Sequence, residues 1–139
     1  MKFRIESLIL FVQNIELLKN FYTQVFEFEA LEEIPKQWVL LKAGSCNIGL
    51  HQIGEAYMHL DPASAASESN TKIVFEVDED LFSLRTDLLS RGVRLKETQE
   101  WEGYDYIICD GEDPEGNVFQ LKQGYPGYKQ VLEGMLPKH

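Results

Sequence analysis

Gln120 stands between Phe119 and Leu121 near the end of the stretch DGEDPEGNVFQL, and its amide poses the first chemical question. A carboxylate facing a ligand cavity there could bind a metal ion, whereas an amide is a far poorer ligand. Other metal-binding side chains are sparse. The histidines are His51, His59 and His139, the cysteines Cys46 and Cys109, and none falls in a metal-type spacing. Lys72 can hold an anionic oxygen, or serve as base or amine nucleophile if burial depresses its pKa. Against that stands the ordinary alternative of snorkelling to solvent from a strand start. Ser7 and Gln120 can orient a ligand by hydrogen bonds, or bond to one another or to water. His51 and Glu76 form a candidate acid/base pair, although a lone inward histidine is more often structural. Trp38, Trp101, Tyr104 and Tyr106 offer ring faces to a planar apolar ligand, with core or dimer packing as the competing use. The glycines of GEDPEG make a turn rather than a phosphate cradle, and no nucleophile elbow or nucleotide loop is present.

These residues need elements to place them. RIESLILFV reads as a strand, Asn14 as an N-cap, and IELLKNFYTQVF as a helix with Ile15, Leu18, Phe21, Tyr22, Val25 and Phe26 on one face. Strand-like runs follow at EFEALEE, QWVLLKA and CNIGLHQI, punctuated by Pro35 and Gly44. The order then repeats. TKIVFEV is a strand, Asp78 a candidate N-cap, and DLFSLRTDLLSR a helix with Leu81, Leu84, Leu88 and Leu89 on one face, stopped by Gly92. Strands follow at VRLKET, YDYIICD and NVFQLK, the last entered through the turn formers Pro114 and Gly116.

The plan is therefore β-α-β-β-β, twice, an α+β class. Leu8, Leu10 and Val12 superpose on Ile73, Phe75 and Val77 as the face that must receive the helices. Ser7, Ile9 and Phe11, and Lys72, Val74 and Glu76, fall on the other side. In the last strand of each half, Asn47, Gly49 and His51, and Val118 and Gln120, join them. A face this mixed makes a poor dry core, since each unpaired buried polar group costs about 1–3 kcal/mol. A solvated concave face or cavity is expected. The domain expected is single over 1–124, with module one about 1–54, a loop about 55–70 and module two about 71–124. The tail 125–139 carries a short helical pattern.

At 139 residues and 44% hydrophobic, the chain suffices for one globular domain with a real core. No segment reaches the apolar length of a membrane span, and no signal-peptide pattern is seen. The net charge of −10 disfavours nucleic acid and anionic membranes as partners and suits a cationic ligand only weakly. Reduced thiols and a cytoplasmic location are the expectation.

Paired β-α-β-β-β modules, the run NIELLKNFYTQVFEFE after the first strand, and the closing DPEGNVFQL together resemble the vicinal oxygen chelate superfamily. That group holds glyoxalase I, extradiol dioxygenases, fosfomycin-resistance enzymes and bleomycin-resistance proteins. The resemblance spans roughly Phe3 to Lys122. It implies two βαβββ modules forming an open, curved mixed sheet with helices outside, and commonly a homodimer. Metal-using members take ligands from the inner face of the first and last strands of each module. Carried over residue by residue, those positions fall on Ser7, Gly49, Lys72 and Gln120. None is a strong ligand, and Lys72 repels a cation. The implied protein has the family fold without its metal and without another cofactor, and binds a small organic molecule in a cleft. The alternative is a glyoxalase- or dioxygenase-like lyase or isomerase, with metal held by other residues or with Lys72, His51 and Glu76 acting alone. A third possibility is a structural or regulatory cleft for a partner peptide.

Overall fold

The computed structural model describes residues 2, 4–54 and 71–126. The expected loop at about 55–70 and nearly all of the 125–139 tail lie outside the described residues. The elements run β1 (Ser7–Val12), α1 (Ile15–Val25), β2 (Glu29–Ile34), β3 (Trp38–Lys42), β4 (Asn47–Gln52) and β5 (Ile73–Glu76). They continue with α2 (Leu81–Ser90), β6 (Arg94–Glu100), β7 (Tyr106–Glu112) and β8 (Val118–Gly124). The class is α+β with the βαβββ plan repeated. Two compact units result: Met1–Ser69 with Pro114–Gly116, and Asn70–Asp113 with Asn117–His139. No described helix is long and apolar enough to cross a membrane.

In the first unit the strand order is β1-β4-β3-β2, with β1 parallel to β4 and the other pairs antiparallel. Pleating sends alternate side chains to opposite faces. Val12, Val39, Leu41, Ile48 and Leu50 are buried on one face beneath Ile15, Leu18 and Tyr22 of α1. Of the six residues expected on the buried helical face, those three are sealed, while Phe21, Val25 and Phe26 are half-buried. Tyr22, Phe26 and Phe28 stack at the helix end, the Phe26 and Phe28 centroids being 5.5 Å apart.

The second unit repeats the arrangement as β5-β8-β7-β6, with β5 parallel to β8. Leu81 and Leu88 of α2 are buried and Leu84 is half-buried. Leu89, expected on the same face, is exposed. One residue adds 100° of helical rotation, so Leu89 lies about 80° from the Leu81 direction and escapes the stripe. The N-cap also differs from expectation. Asp80, not Asp78, accepts the Ser83 backbone N–H at 3.1 Å and the Ser83 hydroxyl at 2.7 Å. The helix begins at Leu81, two residues beyond what a cap at Asp78 requires, which leaves Asp78 in the connection. Gly92 closes α2 at φ +82°, with Val93 N–H donating to the Leu88 carbonyl and Gly92 N–H to that of Leu89.

One device appears in both units. Near the end of the last strand stands a glutamine whose side-chain carbonyl accepts the first N–H of that unit's helix: Gln52 from Ile15 at 3.1 Å, Gln123 from Leu81 at 2.8 Å. In the first unit the helix start has a further anchor. Glu115 is buried, and its carboxylate accepts the backbone N–H of Gln13 at 2.8 and 3.1 Å and that of Asn14 at 2.8 Å. Asn14 in turn caps α1 through Leu17 N–H. Four orphan N–H groups open any helix, and a carboxylate suits both their donors and the helix dipole.

Two outcomes follow for stability. Replacing Glu115 with Ala removes the acceptor of the part-buried Gln13 and Asn14 N–H groups and is expected to lower the unfolding free energy by about 1–3 kcal/mol, less for Glu115→Gln, as read by urea denaturation. Asp80→Ala is expected to lower the melting temperature, while Asp78→Ala leaves it unchanged.

Candidate functional site

The face of the first sheet turned away from α1 is arranged in rows across the strands. Ser7, Asn47 and Lys42 form one row; Ile9, Gly49 and Leu40 the next; Phe11, His51 and Trp38 the third. The third row is aromatic. His51 lies 5.3 Å from the Phe11 ring and 6.2 Å from Trp38, the latter edge-on at 69°. Trp38 is steered by its indole N–H, which donates to Glu32 at 3.1 Å across the β2–β3 hairpin. Its six-membered ring lies over Gly49, where any Cβ would collide with it. A carbonyl only accepts, so the 2.9 Å contact of His51 Nδ1 with the Gln52 carbonyl assigns the proton to Nδ1. Nε2 of the neutral ring is then left as an acceptor. Ile34, Lys36, Trp38, His51, Gln52 and Ile53 border an open cavity of about 490 Å³.

The corresponding face of the second sheet is polar. Val74, Gln120 and Asp110 are cross-strand neighbours, as are Glu76, Lys122 and Ile108. Asp110 is the hub. Its Oδ2 accepts from Lys72 Nζ at 2.7 Å and its Oδ1 from Gln120 Nε2 at 3.0 Å. Partial burial pushes its carboxyl upward, but the Lys72 and Gln120 hydrogen bonds and the Lys72 and Lys96 charges together hold it below the usual carboxylate range. Lys72 thus sits in an ion pair, and Gln120 faces Asp110. Lys122 Nζ stands 4.1 Å over the Tyr106 ring, and Tyr104 meets Tyr106 edge-on at 5.8 Å.

Trp38 and His51 therefore come together in the first unit, and Lys72 and Gln120 in the second. His51 and Glu76, paired in the sequence argument, stand in different units. Ser7 donates to the adjacent Glu6 carboxylate at 3.0 Å. Trp101 and Tyr104 fall not in strands but in the exposed β6–β7 turn, closed by Tyr104 N–H on the Trp101 carbonyl, because Gly103 takes φ +87° there. Asp110 and Phe11 went unrecognised as site residues. The signal for Asp110 was available in the hairpin around DPEGN, whose register sets it opposite Gln120. For Phe11 the alternation placed the ring on this face, but its approach to His51 needs the parallel β1–β4 register.

The positions that hold metal in the resembled superfamily can be tested on this geometry. Gly49 has no side chain, and the space one would take belongs to Trp38. Lys72 is a cation, Gln120 turns its amide nitrogen to Asp110, and Ser7 is spent on Glu6. Among the described residues no three His, Cys, Asp or Glu groups converge. These four positions do not supply the donor set of a divalent centre.

Comparison with known proteins agrees on the fold. The family model described as Glyoxalase/Bleomycin resistance protein/Dioxygenase superfamily matches residues 4–121. Among solved structures, lactoylglutathione lyase from Agrobacterium tumefaciens is 18% identical with a TM-score of 0.65, over 87% of this chain and 93% of that one. TnmS3, an antibiotic binding protein from Streptomyces sp. CB03234, is 20% identical with a TM-score of 0.66, over 88% and 96%. Fosfomycin resistance protein FosX from Mesorhizobium loti is 15% identical with a TM-score of 0.62, over 92% and 96%. No curated protein sequence matches the chain.

The depressed carboxyl of Asp110 gives a signed pH effect. A lowered folded-state pKa contributes stability that is present above the unfolded carboxylate value of about 3.9 and is lost as pH falls through the lower folded value. Wild type should therefore exceed Asp110→Asn in stability at pH 7, and the gap should close below about pH 4 in melts run across that window.

Proposed function

Because the chain belongs to the glyoxalase/bleomycin resistance protein/dioxygenase superfamily, we propose that it binds a small organic molecule with a planar ring, and does so without the family's metal. The observation that carries this is the aromatic cavity of the first unit. Its volume of about 490 Å³ lies within the range of small-molecule pockets, roughly 300–1,000 Å³. Trp38 and His51 furnish ring faces and edges, Ile34 and Ile53 apolar walls, and His51 Nε2 and Lys36 polar contacts at the rim. Trp38 packed on Gly49 puts a stacking surface where a metal-using relative would need a ligand side chain. An antibiotic binding protein of similar fold supports a sequestering role.

The alternative is a lyase, isomerase or dioxygenase-related enzyme, which requires several convergent ionisable groups. Lys72 and Asp110 neutralise one another, which weighs against Lys72 as a free base. We further take the protein to be a cytoplasmic homodimer. Ile9 and Phe11, exposed on the helix-free face of the first unit, are apolar surface that favours a covering partner.

The test is a screen of planar aromatic compounds by fluorescence in a Trp101→Phe background, where Trp38 is the sole tryptophan left. Quenching that saturates, with affinity falling at least tenfold (about 1.4 kcal/mol) in calorimetry of Trp38→Ala, is the expected result. Stoichiometric metal in the purified protein, accompanied by turnover of a thiol adduct or catechol, would move the protein to the enzyme class instead.

A further inference from the structure

We propose that the second unit carries a pocket for a monocarboxylate group, centred on Lys96. Arg94, Lys96, Asp110, Glu112 and Val118 border a cavity of about 210 Å³ on the helix-free side of β6, β7 and β8. That is too small for a drug-sized ligand, but it equals the share of on the order of seven waters and so suits an acid headgroup.

The charges around it do not cancel. Lys72 pairs with Asp110 at 2.7 Å, and the second Asp110 oxygen is taken by Gln120. Arg94 pairs with Glu112 at 3.3 Å and donates to the Asp113 carbonyl at 2.6 Å. Both carboxylates are thereby matched. Lys96 lies close enough to act on the charge of Asp110, yet it forms no ion pair with any described residue. Three cations against two carboxylates leave one positive charge, on a chain whose net charge is −10. One negative charge balances it. A phosphate dianion would overbalance it beside Asp110 and Glu112.

Lys96 is also placed by a built feature. The β6–β7 register shifts between Leu95 and Thr98, a bulge of the kind that redirects a side chain. The Lys96 carbonyl is held there by Arg85 Nε at 2.9 Å and by the buried Cys109 thiol at 3.2 Å. Its carbonyl is thus held by Arg85 and Cys109 at a residue that borders the cavity, and Val118 supplies an apolar wall.

Calorimetry at low ionic strength with pivalate tests this, using pivalamide as the neutral isostere and inorganic phosphate at pH 8 as the dianion. The expected result is saturable pivalate binding, none for pivalamide, and at least a tenfold loss of affinity in Lys96→Met. Lys42→Met, a charge control on β3, should bind as wild type. Absent saturation, equal affinity in Lys96→Met, equal binding of pivalamide, or tighter binding of phosphate would each overturn the assignment. Lys96 is exposed, so its variant should fold, as circular dichroism can verify. Pivalate has no ring to stack on Trp38, so its failure with ring binding intact sinks this inference alone.

Discussion

Among the described residues, each sheet is covered on one face by the one helix of its own unit. Pleating then divides every strand into residues that must be apolar and residues free to be anything. In the first unit Leu50, Ile48 and Val39 take the dry side, which leaves Phe11, His51 and Trp38 in a row on the other. In the second, Phe119 and Leu121 go under the helix, and Gln120 between them has to face Asp110. The parallel pairs β1–β4 and β5–β8 transmit that division across the sheet. A one-residue slip in either would exchange the two faces.

The helices in turn depend on polar groups at the strand ends. Gln52 and Gln123 reach from the last strand of each unit to the first N–H of its helix, so strand register and helix position are coupled. Glu115 adds to this in the first unit, satisfying N–H donors of Gln13 and Asn14 from within a turn otherwise read as mere punctuation. That turn is ordered by Asp113, which is fully buried and accepts from both the backbone and the side chain of Asn117.

The two helix-free faces then differ in chemistry although they share a plan. One carries rings and a histidine edge, the other alternating charges organised by Asp110. On the first the Trp38 indole covers Gly49, and on the second Lys72 is held in an ion pair with Asp110. Ring faces and matched charges are what these two surfaces present.

By itself the sequence determined the class, the repeated order of elements, the N-cap at Asn14, the stop at Gly92 and the sorting of strand residues into two faces. All of these rest on local periodicity and on backbone preferences of single residues, which are written along the chain. It placed Leu89 wrongly because eight residues carry it about 80° past Leu81, and Asp78 wrongly because the helix starts at Leu81 with Asp80 as its cap. Only the tertiary structure decided that Trp38 covers Gly49, that Asp110 binds both Lys72 and Gln120, and that Glu115 anchors a helix some hundred residues earlier in the chain. Those contacts depend on cross-strand register and on side-chain reach between distant segments, and no local pattern encodes a partner that lies far away in sequence.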